Sequence, residues 1–187
     1  MRIVAGTARG RRLVTPTGDE VRPTTDRVRE AVFNALGSMG AVVGASVLDL
    51  FAGSGALGIE ALSRGAASAT FVDSSAAATR SIAENLRATG LDGAATVVRS
   101  DAWPYLAGRV GGVVDLALLD PPYRFDRWDE LLAVVPARLV VIESDRAVEV
   151  GADAVVQRQR RYGGTVVTIA ALQDRDEHGR RDTEDRS

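Results

Sequence analysis

The sequence predicts an α/β fold, built on a seven-stranded, mostly parallel sheet with helices on both faces and an antiparallel hairpin at one edge. Three observations predict it. Short apolar runs alternate with helical segments from residue 46 to residue 144. A glycine-rich turn separates the first apolar run from the helix that follows it. Two β-rich segments near the end flank Gly163-Gly164, which is a hairpin signal. At 187 residues the chain has the length of one domain.

The N-terminal part is predicted to form a small extension of that domain, ending at residue 37. Residues 2–15 are rich in arginine, carry glycines at Gly6 and Gly10, and are predicted to form a β-hairpin or arm. Residues 22–26 contain a proline and candidate helix caps. A helix is therefore predicted over about 26–36, with Gly37 as its stop.

The remaining elements follow as alternating strands and helices. The predicted strands span residues 46–52, 69–73, 95–101, 113–119, 138–144, 154–162 and 165–172, and the predicted helices span 56–64, 75–89 and about 126–134. Gly65 and Gly90 end the first two of these helices. Residues 173–187 contain six acidic residues and four arginines with almost nothing apolar. This polar tail is expected to be disordered.

Composition excludes several kinds of chemistry. The chain has no cysteine, which excludes disulfides, thiolate metal sites and cysteine nucleophiles. All 23 basic residues are arginines, which excludes lysine nucleophiles. The one histidine, His178, lies in the polar tail, so neither a histidine triad nor a metal site is expected. The sequence shows no apolar leader and no apolar run near the ~20 residues of a membrane span. We therefore expect a soluble, cytoplasmic protein without a membrane partner.

The most informative motif is Asp120-Pro121-Pro122-Tyr123, at the carboxyl end of the predicted strand 113–119. The Asp120 carboxylate and the Pro121 carbonyl could each accept one N–H bond from an exocyclic amine, which would turn the nitrogen lone pair toward an electrophile. Proline fixes φ and restricts the residue before it, so Pro121 and Pro122 would hold these carbonyls in one geometry. Tyr123 offers a ring face for a base that has left its stack. Taken alone, the motif is equally typical of a strand-ending turn with a packed tyrosine.

A second motif, Gly53-Ser54-Gly55-Ala56-Leu57-Gly58, follows the first predicted strand and fits G-x-G-x-x-G. Glycines there let the backbone approach a ligand, and the helix that follows presents free N–H groups. Asp73, twenty residues after Gly53, ends the next strand, where a carboxylate can accept bonds from ribose hydroxyls. This order predicts a nucleoside-containing cofactor. The alternative is that the glycines only permit tight packing and that Asp73 caps a helix.

Sites for NAD and for S-adenosylmethionine share this outline, and two further acids favour the second. Asp49, just before the loop, suits the cationic amino-acid end of S-adenosylmethionine and would repel a pyrophosphate. Asp101, at the tip of the third strand, could accept a bond from an adenine amine, or else cap a helix that starts at Ala102. We therefore expect S-adenosylmethionine as the cofactor. The predicted contacts are Asp49, Phe51, Ala52, Gly53, Ser54, Gly55, Asp73, Ser74, Asp101 and Ala102.

The two motifs are predicted to open onto one crevice, because the first and fourth strands are neighbours where a doubly wound sheet reverses its strand order. One loop would hold the methyl donor and the other the amine. The expected step is an in-line displacement in which the oriented nitrogen attacks the sulfonium methyl, and positioning would supply most of the catalysis. The predicted catalytic residues are Asp120, Pro121, Pro122 and Tyr123.

These residues resemble the motifs of a known enzyme class. Residues 47–58, Asp73, Asp101 and the motif from Asp120 to Tyr123 are similar to those of class I S-adenosylmethionine-dependent amino-methyltransferases, which have a Rossmann-like fold. Residues 2–13 and 22–34 resemble the signature of the RsmD family, bacterial 16S rRNA guanine-N2 methyltransferases.

The resemblance covers about residues 1–172 and has several implications. It implies a methyltransferase domain over residues 38–172. The acceptor would be a guanine N2 in 16S rRNA, with guanine 966 as the expected position. The rRNA would be presented within the small ribosomal subunit or an assembly intermediate, to a monomeric enzyme.

The N-terminal extension, residues 1–37, suits RNA docking because arginines contact phosphates. The predicted RNA contacts are Arg9, Arg11, Arg12 and Arg27. Such arginines could instead form a solvated face or ion pairs with the rest of the chain. Arg22 and Arg29, which flank the start of the first helix, carry the same ambiguity. Glu143, at the end of the fifth strand, either lines the crevice or pairs with an arginine.

Three other functions remain open at this point. Adenine-N6 methyltransferases that act on DNA or RNA are one alternative. Those that act on DNA also use D-P-P-Y, but sequence-specific ones usually carry a separate recognition domain, for which 187 residues leave little room. A protein-glutamine N-methyltransferase would more often have asparagine in place of Asp120. A non-catalytic nucleotide-binding or ribosome-assembly factor could share the fold.

Overall fold

A computed structural model describes residues 1–15, 26–122 and 124–173. The strands are β1 (Ser46–Leu50), β2 (Ser68–Asp73), β3 (Ala95–Arg99), β4 (Val114–Leu119), β5 (Ala137–Ser144), β6 (Ala154–Tyr162) and β7 (Thr165–Leu172). They form one sheet in the order β3-β2-β1-β4-β5-β7-β6. The first five strands run parallel, and β7 lies antiparallel between β5 and β6. The predicted fold class, including the edge hairpin, is confirmed.

Helices cover both faces of the sheet. They are α1 (Asp26–Ser38), α2 (Ala56–Ser63), α3 (Ala76–Thr89), α4 (Ala102–Gly108) and α5 (Trp128–Val134). The predicted stop at Gly37 is wrong, because α1 continues through it to Ser38. The apolar sides of α1, α2 and α3 share one core with one face of the sheet. The other face packs against α4 and α5 in a second core. Among the described residues, no helix is long and apolar enough to cross a membrane.

The first strand is shorter than the sequence predicts, ending at Leu50 rather than residue 52. Its end has a local cause. Phe51 has a φ of 60°, which lies in the left-handed region that non-glycine residues rarely adopt. The chain therefore leaves the sheet at Phe51 and turns directly into the glycine loop.

The third strand also ends early, at Arg99 rather than residue 101, and α4 begins at Ala102, where the sequence indicated a helix only as the alternative interpretation of Asp101. Pro104 lies in the first turn of this α4 helix, where a backbone N–H has no partner within the helix and proline is tolerated. The proline and the short length of seven residues hid the helix from the periodicity pattern.

The arm, residues 1–15, packs onto the body of the molecule. An antiparallel bridge joins Arg2 to Arg12, as expected for a small hairpin. Ile3, Ala8 and Leu13 are buried in the same core as α1, α2 and α3. The arm is therefore fixed to the sheet domain by apolar contacts.

Candidate active site

A crevice of about 830 Å³ lies at the carboxyl ends of the parallel strands. Its walls come from the segments that follow β1, β2, β3, β4 and β5. β1 and β4 are neighbours in the sheet although two strands and three helices separate them along the chain, so the strand order reverses between them. A crevice at such a reversal is where open α/β sheets bind ligands, and its volume is in the range of small-molecule sites.

The crevice brings most of the predicted residues together. Those that line it are Asp49, Phe51, Ala52, Gly53, Ser54, Asp73, Ser74, Asp101, Ala102, Asp120, Pro121 and Pro122. Gly55 does not line it: a β-carbon there would lie 3.1 Å from Ile82, on the packed side of the loop. Gly55 thus serves the close approach of α2 and α3. Tyr123 lies outside the described residues.

Asp73 organises the glycine loop. One of its carboxylate oxygens accepts a 2.8 Å bond from the Gly53 N–H, and the other accepts a 2.8 Å bond from the Ser75 N–H at the start of α3. Each carboxylate oxygen has a second lone pair. The Asp73 carboxylate therefore fixes the loop and keeps acceptor capacity at the crevice wall, where ribose hydroxyls would bind.

Asp49 lies at the bottom of the crevice and is only 1% exposed. It accepts a 2.9 Å bond from the Gly58 N–H in α2. Burial raises the pKa of the Asp49 carboxyl well above its usual range, and the nearby Asp120 and Asp73 charges raise it further, against the lowering effect of the Gly58 bond. A carboxylate in such a place favours a cationic partner, which is the chemistry expected for the amino-acid end of S-adenosylmethionine.

Asp101 occupies the residue before α4, but its side chain makes no capping hydrogen bond. The carboxylate is exposed and lines the crevice, while Ala102 behind it is buried. The alternative interpretation of Asp101 as a side-chain helix cap therefore lacks a hydrogen bond in the structure. Its position suits an adenine amine at the crevice edge.

Aromatic side chains support the loop that follows β4. Phe125 donates its backbone N–H to the Pro122 carbonyl at 2.9 Å. Its ring packs edge-on against Phe51, with centroids 5.6 Å apart, and against Trp128, with centroids 4.9 Å apart. These contacts join the loop that follows β4 to the glycine loop. Because Pro121 is buried and Pro122 is exposed, the motif runs from the core to the mouth of the crevice.

The structure adds lining residues that sequence reasoning missed. The ones most relevant to chemistry are Met1, Arg124, Phe125, Trp128, Ser144 and Asp145. Arg124 and Phe125 directly follow the D-P-P-Y motif, and this position in the sequence could have identified these two residues. Glu143, the ambiguous acid, is buried and lines the crevice.

The crevice is acidic. Among the described lining residues, the carboxylates are Asp49, Asp73, Asp101, Asp120, Glu143 and Asp145, and the single guanidinium is that of Arg124. Arg124 is exposed at the end of the D-P-P-Y segment. Such a charge distribution suits an uncharged base and a cationic donor.

The arginines predicted to contact RNA lie elsewhere. Arg9, Arg11, Arg12 and Arg27 are exposed and do not line the crevice. Arg29, which shared their ambiguity, is fully buried: it bonds to the Arg2 carbonyl and to Asp26, and pairs with Glu60 at 3.4 Å. A role for Arg29 in contacting RNA is therefore wrong, because the guanidinium anchors α1 to the arm and α2. Arg22 lies outside the described residues.

Comparisons with known proteins agree with this geometry. Residues 1–171 match the family described as Conserved hypothetical protein 95. YlbH of Bacillus subtilis is 40% identical over an alignment of 182 positions, which covers 90% of this chain and 97% of that protein. The ribosomal RNA small subunit methyltransferase D of Escherichia coli is 46% identical over 132 residues, 71% of this chain and 65% of that protein.

A solved structure shows the same architecture. YhhF of Escherichia coli superposes with a TM-score of 0.80 at 37% identity, covering 92% of this chain and 98% of that one. The similarity to methyltransferases confirms the class I methyltransferase fold and the expected S-adenosylmethionine cofactor. The chain belongs to the RsmD family of S-adenosylmethionine-dependent methyltransferases.

Proposed function

We propose that this enzyme methylates the exocyclic N2 of a guanine in 16S rRNA of the small ribosomal subunit, with guanine 966 as the expected position. The observation that carries the proposal is the shared crevice: Asp120 and Pro121 open onto the same space as Gly53 and Asp73. The name of the Escherichia coli relative, a ribosomal RNA small subunit methyltransferase, supports the RNA class of the acceptor.

The chain's own residues would act by positioning. Asp49, Asp73 and Asp101 would hold the two ends of the cofactor. When bound, S-adenosylmethionine supplies a sulfonium methyl whose C–S bond breaks as the N–C bond forms, the electron pair staying on the sulfur of S-adenosylhomocysteine. Asp120 would accept one amine N–H and the Pro121 carbonyl the other, which aims the nitrogen lone pair along that axis. The methylated nitrogen is strongly acidic, so Asp120 or water can take its proton.

The RNA must bring a base into the crevice without bringing its phosphates among the carboxylates. Flipping a base out of its stack costs a few kcal/mol. Arg124 at the mouth would receive the phosphate next to that base. The proposed docking region is the extension of residues 1–37, through Arg9, Arg11, Arg12 and Arg27, while residues 38–172 carry the chemistry. Residues 174–187 lie outside the described part of the chain.

A panel of acceptors tests the proposal. Transfer of label from methyl-tritiated S-adenosylmethionine is measured on small ribosomal subunits, protein-free 16S rRNA and duplex DNA, with Asp120→Ala as the inactive control. Label should enter rRNA and be lost in the control. Label found only in DNA would establish the adenine-N6 alternative, and no transfer to any acceptor by a protein that binds the cofactor would support a non-catalytic assembly factor.

A further inference from the structure

The arm is held by three polar side chains of α2 and α3. Glu60 accepts the Val4 and Ala5 N–H groups at 2.8 and 3.0 Å. Ser63 donates to the Ala5 carbonyl and accepts from the Ala8 N–H. Asn85, on α3, holds the other end of the arm at Val14. Only the last of these contacts reaches the cofactor loop.

Asn85 is 1% exposed and uses its whole carboxamide. Its oxygen accepts the Val14 N–H at 2.8 Å, and its NH2 donates to the Val14 carbonyl and to the Ser54 carbonyl, both at 2.9 Å. Both NH2 hydrogens are thus satisfied, and the partners fix which way the amide points. One side chain therefore bonds to both the arm and the glycine loop.

Ser54 lies between the two glycines of the loop and lines the crevice, whereas Asn85 does not. Asn85 holds the carbonyl of the Ser54–Gly55 peptide, and Asp73 accepts the N–H of Gly53, the residue before Ser54. Glycines permit many backbone conformations, so a loop of this kind needs such bonds to keep one of them. Asn85 reaches the crevice directly through Ser54 and indirectly through the arm, whose Met1 lines the crevice and accepts a bond from the Ser54 hydroxyl at 3.8 Å.

We propose that Asn85 is a positioning residue for S-adenosylmethionine, and that its carboxamide links the cofactor loop to the N-terminal arm. The cofactor part stands on the methyltransferase fold alone. The importance of the link for RNA rests on the proposed function, because the arm is the proposed docking region. Binding of S-adenosylhomocysteine, which needs no RNA, tests the first part independently of the acceptor.

The test substitution is Asn85→Asp, which keeps the shape and the acceptor for Val14 N–H but replaces both donors with an oxygen that faces two carbonyls. Because the free protein would no longer hold the Ser54 peptide in place, binding must restore that conformation, and we expect this to cost roughly 10-fold or more in affinity, on the scale of one buried hydrogen bond. The dissociation constant of S-adenosylhomocysteine, measured by calorimetry, should rise by about that factor. KM for S-adenosylmethionine should rise in parallel while kcat on small subunits stays within about threefold.

The matched control is Ser63→Ala, which removes two arm contacts and leaves the glycine loop untouched. Its affinity for S-adenosylhomocysteine should stay within about twofold of the wild type. Equal weakening by both substitutions would overturn the direct role of the Ser54 bond, since general loosening of the arm would then suffice. Unchanged affinity in Asn85→Asp would overturn the positioning role.

The link to the arm can be tested in the wild-type protein, and this test does not require that a variant folds. Hydrogen exchange is followed by mass spectrometry with and without S-adenosylhomocysteine. Because Asn85 holds Val14 and Ser54 together, cofactor binding should slow exchange in the peptide that contains Val14. Unchanged exchange in that peptide, with slowing in the peptide that contains Gly53, would overturn the link.

Discussion

The acids of the crevice share a charge but differ in their surroundings. Asp49 is buried at its base, Asp73 is bonded to two backbone N–H groups, and Asp101 is exposed at its edge. Asp120 follows β4 and is partly buried beside the cofactor loop. These differences are compatible with the proposed division, in which Asp120 holds the amine and the other three acids hold the cofactor.

Asp120→Ala should lower kcat for rRNA methylation by roughly 10²–10³-fold, the usual loss on removing one well-placed polar group that supports the transition state. The affinity for S-adenosylhomocysteine should change little, because Asp120 is proposed to hold the acceptor. Asp120→Asn should retain more activity, since an amide oxygen still accepts one N–H bond. Single-turnover methylation and calorimetry measure the two quantities. A variant that loses cofactor binding and activity together would contradict the assignment.

Asp49→Asn should stabilise the ligand-free enzyme. Burial raises the folded-state pKa of this carboxyl. As pH rises from the ordinary carboxyl pKa of about 3.9 through the raised pKa of the folded state, keeping a buried group ionised costs the folded state more, and the free energy of unfolding falls. The amide removes this cost and can still accept the Gly58 N–H. Melting temperature at pH 7.5 should rise, by roughly 2–4 °C per kcal/mol regained.

The same substitution should weaken S-adenosylmethionine binding, because the cationic end loses its carboxylate. Melting curves from pH 5 to pH 8, with and without cofactor, measure both effects. A lower melting temperature for Asp49→Asn at pH 7.5, or undiminished cofactor affinity, would contradict the role given to Asp49.

Residue types and their order were enough to predict Asp49, Asp73, Asp101 and Asp120 in the crevice, because open α/β sheets bind ligands at the carboxyl ends of their parallel strands. Glu143 stayed ambiguous and Asp145 was missed. What each acid bonds to was not predictable. Asp73 holds Gly53 and Ser75 through bonds that depend on how the loop turns at Phe51. Arg29 looked like a solvated helix-start arginine, but its burial depends on the arm folding over α1.

At the scale of elements, the glycine loop and α2 form the contact between sheet and cofactor. Gly58 lies in α2 directly above Asp49 and Phe71. A β-carbon there would lie 2.3 Å from the Phe71 ring and 2.9 Å from the Asp49 carboxylate. The third glycine of the motif is therefore required by helix-to-sheet packing.

Gly58→Ala should destabilise the protein by about 1–3 kcal/mol, the usual cost of overpacking a rigid core. Gly37→Ala is the matched control: it lies in α1, has nothing within 4 Å of its added β-carbon, and should be neutral or slightly stabilising. Urea denaturation of both variants gives the comparison. If the two variants had the same free energy of unfolding, α2 would be able to shift away from β2 without losing stability, and the packing role of Gly58 would be wrong.

Long apolar runs bounded by glycines were sufficient to predict most elements, including the edge hairpin at Gly163. Short elements were not. α4 has seven residues with a proline in its first turn, and its burial against the second core comes from tertiary contact rather than periodicity. The end of β1 at Leu50 depends on the left-handed backbone at Phe51, which no residue preference signals.

On the scale of the whole molecule, an acidic crevice and an exposed basic arm are held in one rigid arrangement. The net charge of −2 does not attract RNA by itself. RNA affinity would therefore depend on where the arginines lie. Since Ile3 and Leu13 are buried in the main core, the arm cannot be deleted without damage, and its charges must be tested by substitution.

Replacing Arg9, Arg11 and Arg12 together by glutamine should raise KM for rRNA and leave the melting temperature unchanged, because these side chains are exposed. Each lost phosphate contact should reduce the steepness with which the logarithm of the affinity falls against the logarithm of the salt concentration by about 0.7–0.9. Filter binding of 16S rRNA at several salt concentrations measures it. The control is a second triple variant with the same loss of charge outside the arm, in which glutamine replaces Arg80, Arg87 and Arg160. Equal effects of the two triple variants would leave only a net-charge effect and contradict docking by the arm.

The central claim is that the shared crevice directs the sulfonium methyl to a guanine N2 in 16S rRNA. Its most direct measurement is mass spectrometry of nucleosides from small-subunit rRNA treated with the enzyme and S-adenosylmethionine carrying a deuterated methyl group. Labelled N2-methylguanosine should appear in rRNA treated with the wild-type enzyme and should be absent from rRNA treated with Asp120→Ala. Labelled N6-methyladenosine in its place, or a label on any nucleoside that persists in Asp120→Ala, would contradict it.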